Sequence, residues 1–205
     1  MKANLTSIEI HPWGTFPESP KDRKNLLLGS FPPNKFTVRR EFFHEGIDMN
    51  FFYGSVSNSF WSLFQHAFGL TFELPSDLPK LKEWIENNHW VFADIVLKTE
   101  RVKDSAADKD LRVQAWNSST ISKILQENTI ERIYFTSIWV MDKFKDLELN
   151  GLDLGAQKIL LISPSKQSCI NMGRSRYLHL LPKGENESCL EYKKRYYATF
   201  LNPGF

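Results

Sequence analysis

Cysteine is scarce: the 205 residues hold two, Cys169 and Cys189. Their spacing suits no metal-ligand pattern, and in a reducing compartment they read as free thiols. The five histidines (His11, His44, His66, His89 and His179) form no H-x-x-x-H or H-E-x-x-H pair, so no metal site is expected. G-x-x-x-x-G-K-[ST] and G-x-G-x-x-G are both missing, which argues against nucleoside triphosphates and dinucleotide cofactors. No apolar run approaches the roughly 18 residues of a membrane span. The segment Met1–Thr6 has one basic residue and no apolar block behind it, which reads as a cytoplasmic chain without a signal peptide. Excess charge is missing too: 26 basic against 24 acidic residues leave a net +2. A polybasic binder is thereby excluded, while a local basic patch is not.

What the sequence has in quantity is aromatic side chains, 14% of the chain, with 16 Phe and 6 Trp. Many must pack in a core, because Phe and Trp bury large apolar areas. Others are free to line a pocket for a flat ligand.

Short apolar runs alternate with helical patterns. Residues 1–24, with Pro12, Gly14, Pro17 and Pro20, read as an extended arm packing on the rest. Asn25–Leu28, Trp90–Ala93, Arg132–Phe135 and Lys158–Ile162 read as buried strands. Apolar residues at helical spacing mark Ser57–Phe68, Asp77–Asn87, Asn117–Glu127, Trp139–Leu147 and Glu187–Leu201 as helices. The polar segment 98–114 reads as a loop. This order predicts an α/β fold with one domain over residues 25–205 and a parallel sheet covered by helices. Ligands of such sheets bind beyond the carboxyl ends of the strands. Attention therefore falls on the loops after Leu28, Ala93 and Ile162.

Candidate residues cluster in those loops. Gly29, leading into Ser30-Phe31-Pro32-Pro33, permits a sharp turn and a close backbone approach. Phe51-Phe52-Tyr53 is either core packing or a stacking platform for a nucleobase. Asn58 is a helix cap or an amide that orients water or a base edge. Asp94 pairs with Arg101 or accepts hydrogen bonds from a ligand. Ser163-Pro164-Ser165-Lys166 is a turn or a set of donors for phosphate oxygens. Lys35, Arg39, Arg40, Lys166, Arg174 and Arg176 make up a basic footprint or an ordinary solvated face.

Taken together these segments resemble the uracil-DNA glycosylase superfamily, closest to its hypoxanthine (deoxyinosine) and mismatch-specific branch. The resemblance rests on His11-Pro12-Trp13, on Leu26-Leu27-Leu28-Gly29-Ser30-Phe31-Pro32 and on Tyr53-Gly54-Ser55-Val56-Ser57-Asn58-Ser59-Phe60-Trp61. It also rests on Asp94 followed by Arg101, Ser105 and Asp108, and on Pro164-Ser165 after a strand. It implies a three-layer α/β/α sandwich around a central four-stranded parallel sheet. The implied activity is hydrolysis of the N-glycosidic bond of a deaminated base, uracil or hypoxanthine, flipped out of DNA. The protein would be a monofunctional glycosylase in base excision repair, needing no metal or cofactor, with DNA as partner, no membrane, and a monomer as its state.

By the same resemblance Asn58 is the catalytic residue, and Gly29, Ser30, Phe31, Tyr53 and Asp94 bind the base. Ser163, Ser165, Lys166 and Arg174 contact DNA phosphates, and Met172 is a candidate wedge for the vacated stack. Two positions depart from better-known members. Phe31 stands where many carry an acid or amide that activates water, which moves that burden onto Asn58. Ser163 stands where others carry a His that steadies the departing base. Two other readings therefore stay open: a catalytically weak or inactive nucleic-acid or nucleobase-binding member of the fold, and a hydrolase of free nucleosides.

Overall fold

The computed structural model describes residues 7–103, 105–153, 155–165 and 181–202. The main sheet is built on β3 (Asn25–Gly29), whose Leu26, Leu27 and Leu28 are fully buried. Successive strand residues point to opposite faces, so three consecutive buried leucines require cover on both. β3 pairs in parallel with β4 (Trp90–Asp94) on one side and β7 (Arg132–Phe135) on the other, and β7 pairs in parallel with β8 (Gln157–Leu160). In this register Gly29 lies opposite Asp94, and Leu28 opposite Phe135, so the carboxyl ends of the central strands fall in one row.

The expected central sheet of four parallel strands needs correcting. Residues Thr15–Phe16 form β2, an antiparallel edge strand on β4, and the sheet has five strands of mixed direction in the order β2-β4-β3-β7-β8. Segment 98–114 is not simply a loop either. β5 (Val96–Arg101) and β6 (Leu111–Trp116) pair antiparallel, and β1 (Glu9–Ile10) joins β5 to make a second, three-stranded sheet. The buried positions of β5 include Thr99 and Arg101, and Arg101 is charge-paired with buried Glu9 of β1 at 2.8 Å. A strand that turns polar side chains inward shows no apolar run. In β6 the alternation Leu111-Arg112-Val113-Gln114 is the period-two signal of a half-buried strand.

Five α-helices stand among the described residues: α1 (Phe60–Phe68), α2 (Leu78–Asn87), α3 (Ser118–Glu127), α4 (Ile138–Lys143) and α5 (Cys189–Leu201). α1 turns Phe60, Trp61 and Phe64 onto Phe92 of β4, all within 6.2 Å between ring centroids. Each such ring taken out of water contributes about 1.5–3 kcal/mol. α5 begins at a capping box, Ser188 with Glu191, and its Tyr196 and Tyr197 hydroxyls donate to Leu160 O and Ile162 O, tying it to the end of β8. Cys189 is disulfide-bonded, which corrects its reading as a free thiol; Cys169 lies outside the described residues. No helix among the described residues is long and apolar enough to cross a membrane.

Candidate active site

A cavity of about 140 Å³ opens where the strands of the main sheet end. An enclosed apolar space of about 150 Å³ accepts benzene, so the volume suits one planar ring. The end of β3 supplies Ser30 and Phe31, and the end of β4 supplies Asp94. Gly29 itself lies beneath. A Cβ there would sit 2.2 Å from Asp94 Oδ1 and 2.3 Å from the Tyr53 hydroxyl, so only glycine lets those two groups approach the strand end.

Asp94 is 5% exposed and does not pair with Arg101. Its Oδ2 lies 2.8 Å from His11 Nε2. His11 Nδ1 accepts from the backbone N–H groups of Trp13 at 3.2 Å and Gly14 at 3.1 Å. A ring nitrogen that accepts from two amides carries no proton, so these partners assign the ring proton to Nε2, which donates it to Asp94. Asp94 Oδ1 has no donor among the described residues.

Of the aromatic trio, Phe51 and Phe52 are core residues and Tyr53 alone lines the cavity. Tyr53 has a left-handed backbone (φ 55°). Its ring stacks on Phe60 at 4.3 Å, and its hydroxyl donates to Thr136 Oγ1 at 3.3 Å. Burial, with the charge of Asp94 nearby, pushes the phenol well above its usual value, so it stays a neutral donor.

Asn58 also lines the cavity. Its Oδ1 accepts from Phe60 N–H at 2.8 Å, an amide of the first turn of α1. It therefore serves the start of that helix, although Ser59 rather than Asn58 is the residue flanking it. The amide nitrogen of Asn58 has no partner among the described residues. An isolated antiparallel bridge joins Asn58 to Ser165, and Ser59 N–H donates to Pro164 O at 3.0 Å, which brings the Ser163–Ser165 loop to the cavity rim. Below that loop Lys193 of α5, 2% exposed, donates from Nζ to Ser163 O and Ser165 O, each at 2.9 Å. Burial brings its pKa down to about 8.

A second acid faces the same space. Asp108 lines the cavity and accepts from Ser30 Oγ at 2.6 Å and from Ser137 Oγ at 3.1 Å. Burial raises its pKa, and Asp94 adds to the rise; the two serines and Arg101 oppose it. Arg101 braces both loops, donating to Pro32 O at 2.5 Å and to Ser105 O at 2.8 Å.

Ser30, Phe31, Tyr53, Asn58, Asp94, Ser163 and Ser165 are thus brought to one cavity. Lys166, Arg174, Arg176 and Met172 lie outside the described residues. Of the basic footprint, Lys35 is paired with Asp48 and Arg39 with Glu41, so neither is a bare cation. Sequence reasoning assigned no role to His11, Asp108, Thr136 or Ser137. His11 and Asp108 fall within segments that carry the resemblance, and that was the available signal. Thr136 and Ser137 follow β7, the one central strand whose loop was not singled out. Among the described residues no group of three or more His, Cys, Asp or Glu is placed to hold a metal ion.

No protein-family model matches the chain, and no curated protein sequence does. Among solved structures it is similar to a candidate uracil DNA glycosylase from Methanosarcina acetivorans, determined in solution by NMR. The two share 16% identity with a TM-score of 0.52, over 94% of this chain and 98% of that one. At this identity the likeness is one of fold.

Proposed function

We propose that the protein is a DNA glycosylase of the uracil-DNA glycosylase superfamily, nearest its hypoxanthine and mismatch-specific branch. Its reaction is hydrolysis of the bond between deoxyribose and a deaminated base, uracil or hypoxanthine, extruded from DNA. The observation that carries this reading is the ring-sized cavity at the sheet's carboxyl edge, with Tyr53, Asn58, Asp94 and the Ser163–Ser165 loop around it. The fold likeness to the Methanosarcina protein supports it.

In this reading the flipped base stacks against Tyr53, whose ring is backed by Phe60. Ser163 and Ser165 hold the flanking phosphates, joined by Lys166 and Arg174, and Lys193 fixes the loop from below. As the C1′–N bond breaks, its electron pair leaves with the base and positive charge develops on the sugar. The Asn58 amide, anchored through Oδ1 to Phe60 N–H, positions the water that bonds to C1′, and the proton this water sheds balances the one taken up by the departing base anion. In this reading water rather than an amine is the nucleophile, which makes the enzyme monofunctional. The test is a single-lesion duplex under enzyme excess. Wild type converts deoxyuridine or deoxyinosine to an abasic site, and Asn58→Ala lowers the single-turnover rate by about 100-fold or more. Intact DNA across uracil, hypoxanthine and xanthine refutes the reading.

A second reading, a base-binding member without catalysis, is favoured by one observation. Phe31 lines the cavity without any group that activates water, and Asn58 already spends one acceptor site on α1. It is distinguished by salt-sensitive DNA binding without cleavage.

A further inference from the structure

The connection from β3 to α1 runs past the mouth of the cavity. Ser55 and Ser57 line that cavity, yet the side chain between them, Val56, is 50% exposed. Its backbone is pinned. Val56 N–H donates to Asp48 Oδ1 at 2.9 Å, and Asp48 is itself held by Lys35 Nζ and His44 N–H. Met49 N–H donates to Gly54 O and Asn58 N–H to Ser55 O, each at 2.8 Å, which closes a turn on either side. Branching at Cβ leaves the side chain few rotamers. A stiff apolar group on a fixed loop loses little entropy when it enters an apolar space. Two residues further on, Asn58 is bridged to Ser165, and Ser59 N–H donates to Pro164 O. Val56 is thus continuous with the loop that the base-excision reading gives to DNA phosphates. Arg40, exposed in the same connection and without a carboxylate partner among the described residues, supplies a cation for the same backbone.

We propose that Val56 is a stacking wedge, which enters the duplex at the step a flipped nucleotide vacates. This rests on the base-excision reading of the site and adds a residue to it. Val56 falls between Gly54 and Asn58, where the resemblance gives no residue a role, and Met172, the wedge it does suggest, belongs to the segment after Ser165. Extruding a base breaks its stacking on both neighbours, and the duplex recloses unless the gap is filled. An apolar side chain in the gap restores those contacts and blocks the return. A lesion in single-stranded DNA leaves no such gap, so the contribution of Val56 is confined to duplexes.

The experiment uses the full chain and DNA carrying 2-aminopurine beside deoxyuridine or deoxyinosine. Stopped-flow fluorescence on the duplex reports unstacking, and single-turnover cleavage is followed on duplex and single strand. Val56→Ala is expected to lower the duplex fluorescence rise and the duplex cleavage rate about 10-fold, against less than about 2-fold on the single strand. Val56→Leu keeps the duplex rate. Ile47, 59% exposed in the same connection but not lining the cavity, is the control, and Ile47→Ala changes neither readout. An unchanged urea midpoint for Val56→Ala, expected of an exposed side chain, excludes a folding artefact. Equal losses on both forms of DNA, or an equal loss from Ile47→Ala, overturns the proposal. Duplex cleavage undiminished in Val56→Ala sinks the wedge alone. A fluorescence rise that depends on Val56 without cleavage sinks the glycosylase reading alone, and neither rise nor cleavage sinks both.

Discussion

Asp48 and Asp108 are both aspartates in loops that shape the cavity, and their surroundings treat them in opposite ways. Asp48 Oδ1 accepts from Lys35 Nζ at 2.5 Å and Val56 N–H at 2.9 Å, and its Oδ2 from His44 N–H at 3.0 Å. Burial alone would raise its pKa, but Lys35 and the two amides outweigh that and hold it low. Val56 lies between Ser55 and Ser57, so this carboxylate pins the cavity wall. Asp108 has no cation bonded to it among the described residues; burial, with Asp94 nearby, raises its pKa against the two serines and Arg101. A charge that builds a loop is fully paired by the chain itself. Asp108 is met instead by two neutral hydroxyls, Ser30 and Ser137, which offset its burial less than a cation would.

The contrast has opposite pH signatures. Asp48's contribution is in place above the ordinary carboxylate range and is lost as pH falls through its lowered folded value. Asp108's raised folded value gives the reverse: stability is greater below the ordinary range and declines as pH rises through the folded value.

The largest effect is expected from Asp48→Ala, which strands Lys35 and two amides. It should cost about 3 kcal/mol in urea denaturation at neutral pH, and the difference from wild type should shrink in acid. A cost below about 1 kcal/mol would remove the distinction between Asp48 and Asp108. Gly29→Ala comes next. Its Cβ meets Asp94 Oδ1 and the Tyr53 hydroxyl, and neither side chain is free to swing away, Asp94 being held through Oδ2 by His11 and the hydroxyl by Thr136. About 2 kcal/mol of stability is expected to go, and base binding measured by NMR with it. His11→Ala leaves Asp94 without its donor and should cost about 1–2 kcal/mol, with a larger loss in lesion cleavage than in DNA binding. Asp108→Asn has the smallest effect and the opposite sign. It should raise Tm at neutral pH by about 2 °C, a gain that vanishes in acid. A fall in Tm would show that Asp108 is a second Asp48.

The two sheets and the residues of the cavity were also unequally legible in the sequence. Asn25–Gly29 and Trp90–Asp94 announce themselves as apolar runs, and the helices of residues 60–68 and 118–127 as periodic faces, because local burial imprints local patterns. The second sheet left little trace, since β5 turns Arg101 inward to a glutamate more than ninety positions earlier. The same distance hid the role of His11, whose partner Asp94 is 83 residues away. Asp108 sits in a charged stretch that reads as solvated surface until Ser30 and Ser137 are seen to close on it. Tyr53 could not be told from Phe51 and Phe52 by composition; its left-handed backbone separates them.

A crystal structure of the protein with a duplex bearing 2′-fluoro-deoxyuridine or 2′-fluoro-deoxyinosine, whose glycosidic bond resists cleavage, tests the central claim most directly. The account predicts an extruded base lying against Tyr53 with its edge at Asp94, and the adjacent phosphates at Ser163 and Ser165. A base that stays stacked in the duplex, or DNA seated on another face of the protein, would contradict it.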